Sequence, residues 1–269
     1  MRNVELISSA QNPKVKLLQE LQQKSSERRK HGLFVVEGRR EVERCIACGY
    51  EVDTIFWCPE IFGQSAVDFP TNRLYQVTSS IYNKVAYRGG TEGVIAEVKT
   101  RQRALHQLSL SESPLVVVLE GIEKPGNLGA VLRTADATHA DAVIVCDPLT
   151  DLYNPNLIRS STGAFFNVPC VACTSAECIE WLKIHHIQIL TAQLQDSHLY
   201  YDMDMTEPTA IIMGTEATGL TDQWRHAADA HIRIPMLGIT DSLNVSVSAA
   251  VLMYEAVRQR RSSNTTFST

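Results

Sequence analysis

Long apolar runs are missing from this sequence of 269 residues. No run approaches the roughly 20 apolar residues that a helix needs to cross a bilayer. The opening residues Met1–Glu5 also lack the apolar core of a secretory signal. These absences argue against a membrane protein or a secreted one. We therefore expect a cytoplasmic chain with no membrane partner.

A disulfide framework is missing as well. The seven cysteines are an odd number and are scattered along the chain, which fits a reducing compartment. Two pairs have the C-x-x-C spacing of metal and redox sites, Cys45 with Cys48 and Cys170 with Cys173. No nearby histidine completes either pair toward the four ligands of a zinc site. We favour simple packing of these side chains over metal or redox chemistry, and we predict no metal.

The chain as a whole has no excess of positive charge. Its formal net charge is −5 at pH 7, which argues mildly against a strong binder of phosphates. Basic residues are nevertheless frequent in the first forty positions, and the run Arg28–His31 interrupts a helical pattern with like charges. The run fits an RNA-facing edge. It fits a solvated helix end equally well, which is the commoner fate of short charge clusters.

The two common glycine patterns of nucleotide-binding loops are also missing. A Walker loop needs G-x-x-x-x-G-K-[ST], but Gly121 and Gly126 are followed by Asn127 instead of lysine. No segment supplies the G-x-G-x-x-G of a dinucleotide turn. The glycines therefore form neither of these phosphate-binding loops. Because the dinucleotide turn is missing, the sequence also argues against a nicotinamide-dependent oxidoreductase.

Apolar strands do alternate with helical patterns, which indicates an α/β fold. A helical stripe is formed by Val15, Leu17, Leu18 and Leu21. The apolar segments predicted as strands are 32–38, 54–57, 74–77, 93–98, 115–119, 142–146, 187–190, 210–213 and 231–235. The polar stretch before Pro114 indicates a linker. We predict a first domain at 1–105, a linker at 106–113, a second domain at 114–261 and a flexible tail at 262–269.

Two strand-end segments in the second half carry candidate functional residues. The first, 120–129, joins a buried strand to a helix, and Arg133 lies off the inward stripe of that helix. Asn127 there fits a helix N-cap as well as a site residue, and Arg133 fits an ordinary solvated arginine. The second segment, 213–220, places Glu216 between two glycines at a strand's carboxyl end, where open sheets bind ligands. A turn with a solvated glutamate is the simpler explanation for Glu216 alone.

A third segment, 234–248, contains conflicting local signals. Residues 242–248 alternate as a strand does, yet the sequence from 249 onward is helical. Conflict of this kind is typical of functional positions. Ser242 or Asn244 also fits a simple cap of the helix.

Together these segments resemble the SpoU/TrmH family of RNA ribose 2′-O-methyltransferases, members of the knotted SPOUT class. The three motifs of the family appear in order at 125–135, 214–220 and 234–247, and 159–164 looks like its intermediate segment. Segments 12–16, 34–38 and 93–96 are similar to its N-terminal substrate-binding domain, so the resemblance covers nearly the whole chain.

The resemblance implies a C-terminal methyltransferase domain with a parallel sheet and a trefoil knot, preceded by a small ribosomal-protein-like α/β substrate-binding domain. It implies S-adenosylmethionine as cofactor and RNA as partner, rRNA rather than tRNA. A tRNA 2′-O-methyltransferase and a non-catalytic RNA-binding member of the fold are the alternatives. It also implies a homodimer, formed through a face of the last helix with Val247, Val251, Met253 and Tyr254.

The resemblance further implies the site residues. The catalytic positions are Asn127, Arg133, Glu216, Ser242 and Asn244, and the cofactor-binding positions are Met213, Gly214, Ile234, Met236 and Leu243. The family's arginine has been assigned as the general base. A guanidinium essentially stays protonated in proteins, so a clamp on the target phosphate suits Arg133 better chemically. Both roles remain open.

Overall fold

The structure is a computed structural model that describes residues 4–63, 69–71, 73–87, 92–215 and 218–265, with only the backbone given for 263–265. In chain order its strands and helices are β1 (Glu5–Ile7), α1 (Pro13–Gln23), α2 (Ser25–His31), β2 (Leu33–Glu37), α3 (Arg39–Ala47), β3 (Val52–Trp57), α4 (Pro59–Phe62), β4 (Arg73–Val77), α5 (Ser79–Val85), β5 (Val94–Lys99), β6 (Leu115–Glu120), α6 (Pro125–Thr138), β7 (Ala142–Cys146), α7 (Pro155–Ser160), α8 (Ala164–Asn167), β8 (Cys170–Cys173), α9 (Ser175–Ile184), β9 (Gln188–Ala192), β10 (His198–Leu199), β11 (Thr209–Met213), α10 (Asp222–Ala227), β12 (Ala230–Arg233) and α11 (Val245–Thr265). None of the described helices is both long enough and apolar enough to span a bilayer.

The chain divides into two compact units. The first consists of residues 1–101 with 153–166, and the second of 102–152 with 167–269. The predicted second domain, 114–261, included residues 153–166, whereas the structure groups that segment with the first unit. Aromatic contacts explain the difference, because the ring of Tyr153 lies 4.6 Å from that of Phe34, and Phe166 lies 5.3 Å from Tyr50.

The first unit is built on a mixed five-stranded sheet. Its strand order is β1-β4-β3-β5-β2, with β5 antiparallel to both of its neighbours. The stripe predicted for α1 is confirmed, since Val15, Leu18 and Leu21 are buried and Leu17 is half-buried. The Asn12 side chain caps this helix by accepting a hydrogen bond from the backbone amide of residue 14 at 2.9 Å. An amphipathic helix therefore covers one face of the sheet.

The second unit contains a seven-stranded sheet that is parallel throughout its described strands. The strand order is β10-β12-β9-β11-β6-β7-β8. The interior strand β6 is buried along its whole length, as its unbroken apolar run predicts. The predicted α/β fold with a parallel sheet is confirmed. A trefoil knot in this unit stays a prediction.

The last helix differs from its prediction at both ends. Alternation over 242–248 suggested a strand, but α11 already begins at Val245 because the Asn244 side chain accepts a hydrogen bond from the backbone amide of Ser246 at 3.0 Å. Its carboxyl end continues to Thr265, where a flexible tail was predicted from 262. Residues 266–269 lie outside the described part of the chain.

Candidate functional site

The candidate site forms where two neighbouring parallel strands end. β6 and β11 lie side by side, with Leu119 opposite Met213. The chain leaves β6 toward β7 on one side of the sheet, and it leaves β11 toward β12 on the other side. Strands whose connections diverge in this way leave a crevice at their carboxyl ends, where open α/β sheets bind ligands. The first two motifs, which follow β6 and β11, therefore meet at this crevice.

A buried carboxylate joins these two loops. Glu120, the last residue of β6, is 5% exposed. It accepts hydrogen bonds from the backbone amide of Thr221 at 2.9 Å and from its hydroxyl at 2.7 Å. The hydroxyl of Ser175 also lies 3.2 Å from Glu120, and Ser175 in turn accepts a hydrogen bond from the indole of Trp224 at 3.0 Å. Glu120 thus anchors the end of the second motif's loop to the first motif's strand.

The loop after β11 is unusually tight. Thr215 and Gly219 exchange two backbone hydrogen bonds, of 3.2 and 3.1 Å. A Cβ atom at Gly214 would collide with the backbone of Gly219, so this turn needs glycine at position 214. Glu216, the predicted catalytic carboxylate of this loop, lies outside the described residues.

The first and third motifs are joined by a side-chain contact. The Asn244 amide nitrogen donates a hydrogen bond to the Asn127 amide oxygen at 3.3 Å. Asn127 lies within the first turn of α6, and Lys124 occupies the N-cap position, so the alternative that Asn127 caps this helix is wrong. The alternative that Asn244 caps α11 is correct. The side-chain oxygen of Asn244 caps the helix, and its side-chain nitrogen donates to Asn127 and orients that amide.

A cavity of about 160 Å³ brings all three motifs together. Asn127 lines it from the first motif, Gly214 and Thr215 from the second, and Val245 from the start of α11. Convergence of the three loops within one unit is therefore observed directly.

A second cavity, of about 130 Å³, is lined by four further predicted positions. Ile234, Met236, Ser242 and Leu243 line it. Gln193, at the end of β9, lines it as well, and its side-chain oxygen is buried with no hydrogen-bond partner among the described residues. The cavity thus combines apolar side chains with polar ones such as Asp241 and Ser242, and sequence reasoning did not find Gln193.

Three of the described predicted positions line neither cavity, and the first of them is Asn244, which contacts Asn127. Met213 is buried within β11, where it packs as part of the core. Arg133 is exposed on α6, and it has no hydrogen bond or ion pair with any residue that the structure describes. The Arg133 guanidinium is therefore available to a ligand from solvent.

The cysteines form a cluster that their spacing did not predict. Sulfur atoms of Cys146, Cys173 and Cys178 all lie within 4.8 Å of one another, on β7, β8 and α9. Hydrogen bonds from the Cys146 and Cys178 thiols hold the pKa of Cys173 below its ordinary value. Cys170, the expected C-x-x-C partner of Cys173, is not in the cluster. Strand pairing between β7 and β8 brings Cys146 and Cys173 together instead.

One arginine of the basic run at the end of α2 is buried in the fold. Arg28 is only 3% exposed, and its guanidinium donates a hydrogen bond to the Leu21 carbonyl at 2.6 Å. Arg29 and Lys30 remain exposed. The expectation of an RNA-facing edge therefore no longer includes Arg28.

Comparison with known families agrees with this geometry. The model of the SpoU rRNA Methylase family matches residues 114–254. The chain belongs to this family. A second model, the MRM3-like substrate binding domain, matches residues 12–96. This SpoU family member thus carries a methylase domain preceded by a substrate-binding domain, as the motifs implied.

Relatives and solved structures cover nearly the whole SpoU chain. The 23S rRNA (uridine(2479)-2′-O)-methyltransferase of Streptomyces viridochromogenes is 29% identical over 96% of this chain and 93% of its own. A crystal structure of an RNA 2′-O ribose methyltransferase is 38% identical, with a TM-score of 0.83 over 95% of this chain and 99% of its own. The AdoMet-bound rRNA methyltransferase of Sinorhizobium meliloti is 26% identical, with a TM-score of 0.86 over 95% and 98%.

Proposed function

We propose that this chain transfers a methyl group from S-adenosylmethionine to a ribose 2′-hydroxyl of rRNA. The observation that carries the proposal is the convergence of three motif loops on one crevice, joined by the hydrogen bond between Asn244 and Asn127. The relatives named as rRNA 2′-O-methyltransferases along nearly the full length of the chain support rRNA as the substrate.

The second cavity fits the cofactor. Its apolar residues, among them Ile234, Met236 and Leu243, suit the faces of an adenine ring. Met213 and Gly214 complete the predicted set at the end of β11. S-adenosylmethionine supplies an electrophilic methyl group on a sulfonium.

The chain's own residues position the RNA. Asn127 and Asn244 hold each other's amide groups in fixed orientation at the first cavity, where they offer hydrogen bonds to the target ribose. The Arg133 guanidinium clamps the target phosphate, which aligns the 2′-oxygen for in-line attack. Glu216 and Ser242 complete the catalytic set.

Replacing the arginine tests this assignment. We expect Arg133→Ala to lower methyl incorporation from labelled S-adenosylmethionine into total RNA by at least about a hundredfold, because the ribose loses its alignment. Cofactor binding, measured by calorimetry, persists. The matched control is Lys183→Ala, an exposed cation at the end of α9. Full activity of the Arg133 variant removes this residue from the mechanism.

Mapping of 2′-O-methyl sites completes the test. Sites lost from rRNA in cells without the gene support the proposal, whereas sites lost from tRNA alone point to the tRNA alternative. Cofactor or RNA binding without any methyl incorporation points to the non-catalytic alternative.

We further propose a homodimer. Leu237 and Ile239 are essentially fully exposed, at 98% and 101%, and Val247 and Tyr254 are about half exposed. Met253, which sequence analysis assigned to the same face, is instead buried against α6. Exposed apolar side chains of this size favour association with a second copy. We expect sedimentation equilibrium at micromolar concentration to give a dimer mass, and a monomer mass contradicts the proposal.

A further inference from the structure

Three cysteine thiols meet near one edge of the seven-stranded sheet in the second unit. Cys146 and Cys173 are the last residues of β7 and β8, and Cys178 lies in the following helix, α9. Their sulfur atoms all lie within 4.8 Å of one another, and none of the three forms a disulfide. The proposed methyl transfer does not use this thiol cluster, so its role is a separate question.

The distances within the thiol cluster suit a single metal ion. A thiolate sulfur lies about 2.3 Å from a d¹⁰ ion such as Zn²⁺, so three sulfurs in a plane around one ion are about 4.0 Å apart. The sulfurs of Cys146 and Cys173 already have this separation of 4.0 Å. Because the Cys178 sulfur lies within 4.8 Å of both, a small movement of its side chain completes the triangle.

Two carboxylates fix the backbone around the thiol cluster. Asp147, directly after β7, accepts hydrogen bonds from the backbone amide of Ser175 at 3.1 Å and from its hydroxyl at 2.6 Å. Glu177 accepts hydrogen bonds from the backbone amide of Thr174 at 2.8 Å and from its hydroxyl at 2.7 Å, which forms a capping box at the start of α9. These contacts hold the turn that carries two of the three cysteines, so the ligands are positioned before an ion binds.

The ligand set consists of sulfur alone. No imidazole or carboxylate of the residues that the structure describes joins the three sulfurs within 4.8 Å, and the neighbouring carboxylates of Asp147 and Glu177 accept the capping hydrogen bonds. A structural zinc site needs four ligands. Soft thiolate ligands select Cu⁺, which accepts three of them in a plane. The number and the type of the ligands therefore favour monovalent copper over zinc.

The surroundings of the thiol cluster also suit a soft cation. Cys146 and Cys178 belong to the apolar core of the unit, where they pack with Trp181 and Leu182. Such a shell keeps water and other oxygen ligands away from a metal. Cys173 is only partly buried, so an ion reaches the cluster from its side. The amino-terminal end of α9, which carries partial positive charge, favours the thiolate form of the ligands.

We propose that Cys146, Cys173 and Cys178 bind one Cu⁺ ion as three thiolates. Each thiol releases its proton to solvent when its sulfur binds the ion, and no electron is transferred. The ion connects the edge strand β8 with β7 and α9, so it acts as a cross-link within the second unit. The proposal replaces the expectation of no metal, which considered only the C-x-x-C spacing, and it does not depend on methyl transfer.

Competition for Cu⁺ tests the proposal. The full-length protein, reduced and kept free of oxygen, is titrated with Cu⁺ in the presence of bicinchoninate, a coloured chelator that removes Cu⁺ from weak sites. We expect each chain to withhold one Cu⁺ from the chelator. In Cys173→Ser we expect the affinity for Cu⁺ to fall by at least about a hundredfold, because a hydroxyl is a poor ligand for a soft cation.

Two control variants keep the site. Cys48→Ser replaces a cysteine that is partly buried like Cys173 but lies in the first unit, and Cys170→Ala removes the C-x-x-C partner of Cys173. We expect both to bind Cu⁺ as the wild type does. An unfolding midpoint of metal-free Cys173→Ser close to that of the metal-free wild type shows that this variant folds. Loss of Cu⁺ binding in Cys170→Ala but not in folded Cys173→Ser overturns the proposal.

X-ray absorption at the copper edge tests the ligands in the wild type itself, without any substitution. We expect the spectrum of the Cu⁺-bound protein to show three sulfur neighbours, and nitrogen or oxygen neighbours overturn the proposal. Bound Cu⁺ should also raise the thermal unfolding midpoint of the wild type and leave that of Cys173→Ser unchanged. Transfer of all Cu⁺ to the chelator overturns the site, and displacement of Cu⁺ by an equal concentration of Zn²⁺ overturns the choice of ion.

Discussion

Two glutamates, one in each unit, are almost equally buried but differ in their hydrogen-bond partners. Glu97 on β5 and Glu120 at the end of β6 are 3% and 5% exposed. Glu120 accepts hydrogen bonds from two groups of Thr221 and lies 3.2 Å from the Ser175 hydroxyl. The Oε1 atom of Glu97 has no partner among the described residues. Burial alone therefore does not show whether the oxygens of a carboxylate have hydrogen-bond partners.

The hydrogen-bond partners decide how each carboxylate affects the free energy of unfolding. A satisfied buried carboxylate stabilises the loops whose donors it collects, so removing it costs free energy of unfolding. A buried carboxylate that lacks hydrogen-bond donors lowers the free energy of unfolding. We therefore expect replacements of the two residues to change stability in opposite directions.

The largest expected effect is the loss of the Glu120 network. Glu120→Ala leaves the amide and the hydroxyl of Thr221 without this acceptor and opens a cavity, so we expect the free energy of unfolding to fall by about 3–4 kcal/mol. Urea unfolding monitored by circular dichroism measures this. Methyl transfer, assayed where the variant is still folded, should fall as well, because the second motif's loop loses its anchor.

The control for this variant is Glu123→Ala, in the same connection between β6 and α6. Glu123 is exposed, so we expect its replacement to leave the unfolding midpoint nearly unchanged. Equal stability of the Glu120 variant and the wild type would show that these hydrogen bonds do not contribute to the free energy of unfolding.

The sequence predicted much of the second unit's sheet. Unbroken apolar runs such as 115–119 identify strands that are covered on both faces, and the three motifs follow strand ends that the fold brings together. It did not predict the partners of Glu120, because Ser175 and Thr221 are 55 and 101 residues away in the chain. An acidic residue directly after an unbroken apolar strand was the available signal.

Contacts between distant parts of the chain also explain other features that the local spacing of residues did not predict. The C-x-x-C spacing drew attention to Cys170 and Cys173, for which simple packing was favoured, and it gave no sign that strand pairing places Cys173 beside Cys146. Helical periodicity on α11 placed Met253 on an exposed face, whereas its sulfur contacts the Thr138 hydroxyl at 3.6 Å. Periodicity identifies a face of a helix, but it does not reveal which neighbouring element covers that face.

The smaller and opposite effect is expected at Glu97. Because its folded pKa is raised from 4.5 to about 7, the folded protein holds this proton more tightly than the unfolded chain does. Its contribution therefore lowers the free energy of unfolding as pH rises from about 4.5 to 7, by at most roughly 3 kcal/mol. Glutamine does not titrate, so Glu97→Gln should gain stability over the wild type at pH 8 and lose that gain at pH 4.5. Urea midpoints at the two pH values measure the difference, and a difference that does not depend on pH would show that Glu97 already has a partner when the protein is folded.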